Sequence, residues 1–158
     1  MSKKLILFLM LALFGSTAVL RADEITIGSG TSTNNALPSR SYFRYSLSQQ
    51  LYTADEIGTA GTINSIAFYN AGTEVTRTLD LYMLNTEKTA FTSNTDWITV
   101  AATDLVFSGS VTMTTNVWTT ITLDTPFEYD GTSNLAVIVD DNTGSYVNGA
   151  EYYVFTTT

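Results

Sequence analysis

The chain has 158 residues and is acidic, with 7 Lys and Arg against 15 Asp and Glu, and it contains neither cysteine nor histidine. Those absences exclude disulfide staples, thiolate or imidazole zinc sites, and the Ser-His-Asp and Cys-His nucleophile systems. Beyond residue 22 the cations are Arg40, Arg44, Arg77 and Lys88, scattered along the chain, so a phosphate-binding surface has no source and nucleic acid is excluded as a partner.

The first residues have the layout of a secretion signal: Lys3 and Lys4, an apolar run from Leu5 to Phe14, then Gly15, Ser16, Thr17 and Ala18. The run is shorter than the ~20 apolar residues of a membrane-spanning helix, so residues 1–22 are expected to be cleaved, with no membrane insertion afterwards. The expected location is secreted or at the cell surface. Residues 23–158 then have the length of one domain.

Residues 23–40 are rich in Gly, Ser, Thr and Asn, with one short alternation at Ile25 and Ile27. They predict a leader strand and a flexible lead-in. From residue 41 to 158 the apolar period is two. Phe43, Tyr45 and Leu47 share one expected face, opposite Tyr42, Arg44 and Ser46. Ile66 and Phe68 alternate with Ser65, Ala67 and Tyr69 ahead of the turn at Asn70–Gly72, and Leu79, Leu81 and Met83 alternate with Asp80, Tyr82 and Leu84. One short helical turn is expected near Ser93–Trp97. Val111 and Met113 continue the strand pattern, and Val117, Thr119, Ile121 and Leu123 oppose Trp118, Thr120 and Thr122 in a strand closed by Pro126. Leu135–Val139 is apolar on both faces, as in a strand inside a sheet. Asp130-Gly131 and Asn148-Gly149 are turn signals. Glu151–Phe155 reads as a last strand with only three threonines after it, which leaves an exposed edge unless a partner strand comes from elsewhere.

Roughly eight short strands at this spacing predict an all-β, antiparallel β-sandwich, jelly-roll-like or fibronectin-like. The segments RYSLSQQLYTADEIG (Arg44–Gly58), GTINSIAFYNAGTE (Gly61–Glu74), TRTLDLYMLNTEKTAF (Thr76–Phe91) and WTTITLDTPFEYDGTSNLAVIVDDNTGS (Trp118–Ser145) carry a resemblance. Over Tyr42–Val139 the chain resembles a β-sandwich module of secreted and surface proteins of Bacteroidota-type gut and oral bacteria. The resemblance implies a non-catalytic accessory or adhesion-type unit, accompanied in relatives by fibronectin type III or peptidase domains and without assigned catalytic residues. Such modules continue past the position matching Phe155, so the resemblance also implies a sandwich incomplete at its C-terminus.

Three chemistries survive. Paired carboxylates suffice for a glycosidase, and Asp124 with Glu128, or Asp140 with Asp141, are the pairs available; carboxylates at turns and strand ends are the ordinary alternative in an acidic β protein. Calcium takes about six to eight oxygens. Asp130, Asp140, Asp141 and Asn142 are the candidate ligands, although Asp and Asn also make turns by bonding their own backbone. Exposed aromatics can stack on sugar rings, which makes Trp97, Trp118 and Tyr146 the ligand-binding candidates, with Tyr152 and Tyr153 behind them, for an extracellular glycan or protein partner. A large aromatic in a sandwich is more often core, and Arg44 among Tyr42, Phe43 and Tyr45 suggests a structural cation–π contact.

Overall fold

The computed structural model describes residues 23–154; the secretion signal expected at residues 1–22 and Phe155 of the last expected strand lie outside them. Eight strands form among the described residues: β1 (Ser32–Asn34), β2 (Ser46–Tyr52), β3 (Gly61–Asn70), β4 (Val75–Thr86), β5 (Leu105–Met113), β6 (Val117–Tyr129), β7 (Asn134–Asp141) and β8 (Tyr152–Val154). They make two four-stranded sheets, ordered β1-β8-β3-β6 and β2-β7-β4-β5, with antiparallel pairing throughout. The protein is thus an all-β sandwich, and the pairs 1 with 8, 2 with 7, 3 with 6 and 4 with 5 nest like a long hairpin folded over on itself.

The period-two pattern builds the core directly. In one sheet Leu81 and Met83 of β4 lie opposite Val139 and Val137 of β7, Val75 of β4 lies opposite Met113 of β5, and Leu79 is buried beside them. Phe68, Ile121, Leu123 and Tyr152 face them from the other. Burying such side chains contributes roughly 1.5–3 kcal/mol each. β7 lies between β2 and β4, as its two-sided apolar run requires, yet Ala136 and Ile138 on its outer face are also fully buried. Residues 87–101 lie over that face. The Gln49 side chain accepts from the Ile98 N–H and donates to its carbonyl, both at 2.8 Å, and the Asn134 amide donates to the Lys88 carbonyl.

Several local expectations are corrected. No strand forms at Ile25 and Ile27; the leader strand is Ser32–Asn34, where Thr33 pairs with Tyr153, while Ile27 packs half-buried against the core. The strand expected to include Tyr42–Tyr45 begins at Ser46, because residues 41–45 turn instead, the Phe43 N–H donating to the Arg40 carbonyl. Pro126 does not close its strand. β6 is a sheet edge running on to Tyr129, and Pro126 sits where the β3–β6 register shifts, the place where a residue lacking an N–H is tolerated. Ser93–Trp97 makes a turn rather than a helix. The one α-helix among the described residues, α1 (Ala54–Ile57), carries a capping box between Thr53 and Glu56 and ends on Gly58 at φ 78°. Nor is the C-terminal strand an edge: β8 pairs with β1 on one side and with Asn70 of β3 on the other.

The β3–β4 turn fits tightly beneath the segment leading into β8. The Ala71 and Gly72 N–H groups donate to the Glu151 carbonyl, and a Cβ at Gly72 would run into the Gly149 carbonyl and the Glu151 N–H. Neither obstacle is a flexible side chain. Gly72→Ala is therefore expected to cost about 1–3 kcal/mol, measured as a lowered denaturant midpoint with unchanged slope.

Candidate functional site at the loop end of the sandwich

The strand alternation that buries Leu79, Leu81 and Met83 also points Arg77 inward, and the one that buries Val137 and Val139 points Asp141 inward. Both side chains are fully buried, and Arg77 Nε donates to Asp141 Oδ2 at 2.7 Å. An ion pair in the interior persists only with its remaining hydrogen-bonding groups satisfied, and the surrounding loops supply that. Arg77 Nη1 donates to the Ser145 carbonyl and Nη2 to the Phe43 carbonyl, each at 2.9 Å. Asp141 Oδ2 accepts from the Ser39 hydroxyl at 2.5 Å, and its Oδ1 accepts from the Thr143 hydroxyl and N–H.

The pair thus pins two loops, the β1–β2 loop (residues 35–45) and the β7–β8 loop (residues 142–151). They are also tied to each other. The Val147 N–H donates to the Ser41 carbonyl, the Ser41 hydroxyl to the Val147 carbonyl, and the Gly144 N–H to the Arg44 carbonyl, at 2.8 to 3.0 Å. Ser48 of β2 donates its hydroxyl to the Pro38 carbonyl, anchoring the start of the first loop.

On the solvent side this frame displays Tyr42, Phe43, Tyr45 and Tyr146, all exposed. Tyr42 meets Phe43 edge-on at 5.4 Å between ring centroids and Tyr146 at 6.4 Å, and the Arg40 guanidinium lies 5.0 Å over the Phe43 ring. Beside the aromatics is an open concavity of about 280 Å³, lined by Asn35, Arg40 and Tyr42 from one loop and Asn148, Gly149 and Glu151 from the other.

The sequence candidates are dispersed. Trp97, Trp118 and Tyr146 are 51%, 56% and 63% exposed, so all three are surface rather than core, but they occupy three different places. Trp97 is on the segment covering the β2-β7-β4 face. Trp118 stands on the outer face of the other sheet, edge-on to Tyr69 at 5.7 Å, and Tyr69 stacks on Tyr153 at 4.3 Å. Only Tyr146 reaches the loop end, and Tyr152 is core. The cation–π contact expected at Arg44 is made by Arg40 instead.

The calcium quartet is corrected. Asp130 lies before β7 and Asp141 at its far end, roughly 20 Å away at about 3.3 Å per residue. Asp140 and Asp141 point to opposite faces of the strand, and Asp141 is taken by Arg77. Asp140 faces Asp80, whose carboxylate accepts from the Asn142 amide. Among the described residues no three His, Cys, Asp or Glu are placed to hold a metal ion. The opposed faces equally prevent Asp140 and Asp141 from flanking one glycosidic bond. Asp124 accepts from the Ser108 N–H and Glu128 from the Thr62 hydroxyl.

What Asp130 does is close a turn. Its carboxylate accepts from the Ser133 and Thr132 N–H groups and from the Ser133 hydroxyl, which holds its pKa at about 2 against the usual 3.8. Asp96 is lowered to about 2 as well, by the Lys88 ammonium first and then by Thr92.

No family model, curated protein or solved structure matches the chain, so function is read from the geometry of the loop end.

Two outcomes follow from the charges. Arg77→Met leaves Asp141 buried without its cation and is expected to cost about 3–5 kcal/mol in denaturant unfolding, whereas Arg77→Met with Asp141→Leu costs less than the single change. For Asp130 and Asp96 the folded pKa lies below the unfolded one, so their stabilisation is present above pH ~4 and is lost as pH falls through ~2. The melting temperature is expected to drop across that window, and less steeply for Asp130→Asn.

Proposed function

We propose that the chain is a non-catalytic accessory module of the adhesion type, exported behind the signal segment at residues 1–22, that works through the loop end of its sandwich. One observation carries the reading: four aromatic side chains, Tyr42, Phe43, Tyr45 and Tyr146, are held in solvent on loops that a buried ion pair fixes. Exposed aromatics gathered in one place mark interaction sites. Tyrosine offers a large contact area with few torsions to freeze, and fixed loops remove most of the ordering cost of binding. The nested strand pairing supports a jelly-roll reading of the sandwich, a fold shared by many lectin domains. That the unit is non-catalytic rests on the lack of histidine and cysteine and on carboxylates engaged in structural bonds.

The test displays the full chain on a non-adherent bacterial host and counts attachment to mucin-coated and epithelial surfaces. Tyr42→Ala with Tyr146→Ala is expected to reduce attachment about tenfold or more, equivalent to about 1.4 kcal/mol, with the melting temperature unchanged. Equal attachment by parent and variant would remove the loop end as the working surface.

A further inference from the structure

We infer that the concavity between the β1–β2 and β7–β8 loops is a binding site for the terminal residue of a neutral glycan; this rests on the proposed function and names its ligand. Two opposed requirements define the ligand. It must offer a flat apolar face to Tyr42, and it must offer several hydroxyls to the polar groups around it. A pyranose ring meets both, since its C–H face packs on an aromatic ring while its hydroxyls radiate from the rim.

The polar lining suits hydroxyls. Asn35 and Asn148 each present a donor and an acceptor, the complement of a hydroxyl that both gives and takes, and their side chains take no part in the bonds that fix these loops. Glu151 adds acceptors, with one oxygen already receiving the Thr33 hydroxyl at 3.0 Å. At about 280 Å³ and open to solvent, the space lies just below the ~300–1,000 Å³ of enclosed ligand pockets, which suits the end of a chain rather than a whole ligand.

Charge argues for neutrality. Arg40 and Glu151 face the same space with opposite sign, so the lining has no net charge to neutralise an acidic sugar. Of the other cations beyond residue 22, Arg77 is committed to Asp141 and Lys88 to Asp96, and only Arg44 stays exposed beside the loops, against 13 of the 15 carboxylates that lie outside those two pairs and repel anions from a distance.

The floor is rigid. Gly149 has φ 92°, and a Cβ there would come within 2.7 Å of the Thr73 hydroxyl, while the Thr73 N–H donates to the Gly149 carbonyl at 2.7 Å. The backbone lining that side of the concavity is therefore set by the β3–β4 turn beneath it.

The test probes the full chain with oligosaccharides ending in neutral hexose or N-acetylhexosamine, with the same set capped by sialic acid, and with short uncharged peptides, read by calorimetry and arrays. Binding by a subset of the neutral sugars is expected with a dissociation constant of roughly 0.1–1 mM. Tyr42→Ala and Asn35→Ala are each expected to weaken it about tenfold, and Trp118→Ala, on the other aromatic surface, to leave it unchanged. Binding only to sialylated sugars or only to peptides would overturn the inference, as would loss on Trp118→Ala with Tyr42→Ala silent. Failure of every sugar, with attachment still lost on Tyr42→Ala and Tyr146→Ala, would overturn the glycan while leaving the adhesion reading in place. Failure of both would end both.

Discussion

The ion pair between Arg77 and Asp141 is the constraint on which the loop end of this protein depends. A buried guanidinium and carboxylate lose several kcal/mol of hydration each, and their attraction offsets this only when every remaining group finds a partner. Here those partners are backbone carbonyls at Phe43 and Ser145 and hydroxyls at Ser39 and Thr143. The two loops are therefore not appended to the sandwich. They complete the solvation of a charge that the core cannot leave bare. Such a pair often adds little net stability compared with an apolar substitute; in this protein its hydrogen bonds run to both loops.

That arrangement extends into the sheet. β2 turns Ser48 and Gln50 inward rather than an apolar row, an arrangement that suits its position at the edge of the sheet. Residues 38–41 cover this polar edge, with the Pro38 carbonyl on Ser48 and the Arg40 N–H on Ser46. Within the core, burial pushes the Tyr152 phenol up to about 12, with Arg77 and Asp141 acting on it in opposite directions. The hydroxyl finds no protein partner among the described residues. Apolar packing holds the middle of the sandwich, and polar packing holds the end that displays Tyr42 and Tyr146.

The central strands were legible in the sequence because a half-buried strand has no way to hide its period: Leu79–Met83 and Ile121–Leu123 lie where alternation puts them, and Leu135–Val139, apolar on both faces, lies inside its sheet. The same rule, applied one step further, would have found the ion pair. Arg77 is in phase with Leu79, and Asp141 with Val139, but a charged residue is ordinarily assigned to the surface on composition alone. Phe43, Tyr45 and Leu47 misled for the opposite reason: their alternation is real, yet all three are exposed. Neighbouring acidic residues looked like a metal site because sequence adjacency ignores that Asp140 and Asp141 leave a strand on opposite faces. The concavity was not legible at all. Asn35 and Tyr42 come from one loop and Asn148 and Glu151 from another more than a hundred residues on, and the pairing of β1 with β8 and the bonds between the two loops bring them together.

If the pair makes the loops part of the folded core, their amides should open only when the core does. Hydrogen exchange at the Gly144 and Val147 N–H groups, compared with Val137 and Val139 of β7, tests this directly. The account predicts that the loop amides exchange about as slowly as the strand amides in the parent and become fast in Arg77→Lys, which keeps the charge but loses the fork of donors. Fast exchange at Gly144 and Val147 in the parent, with β7 protected, would contradict it.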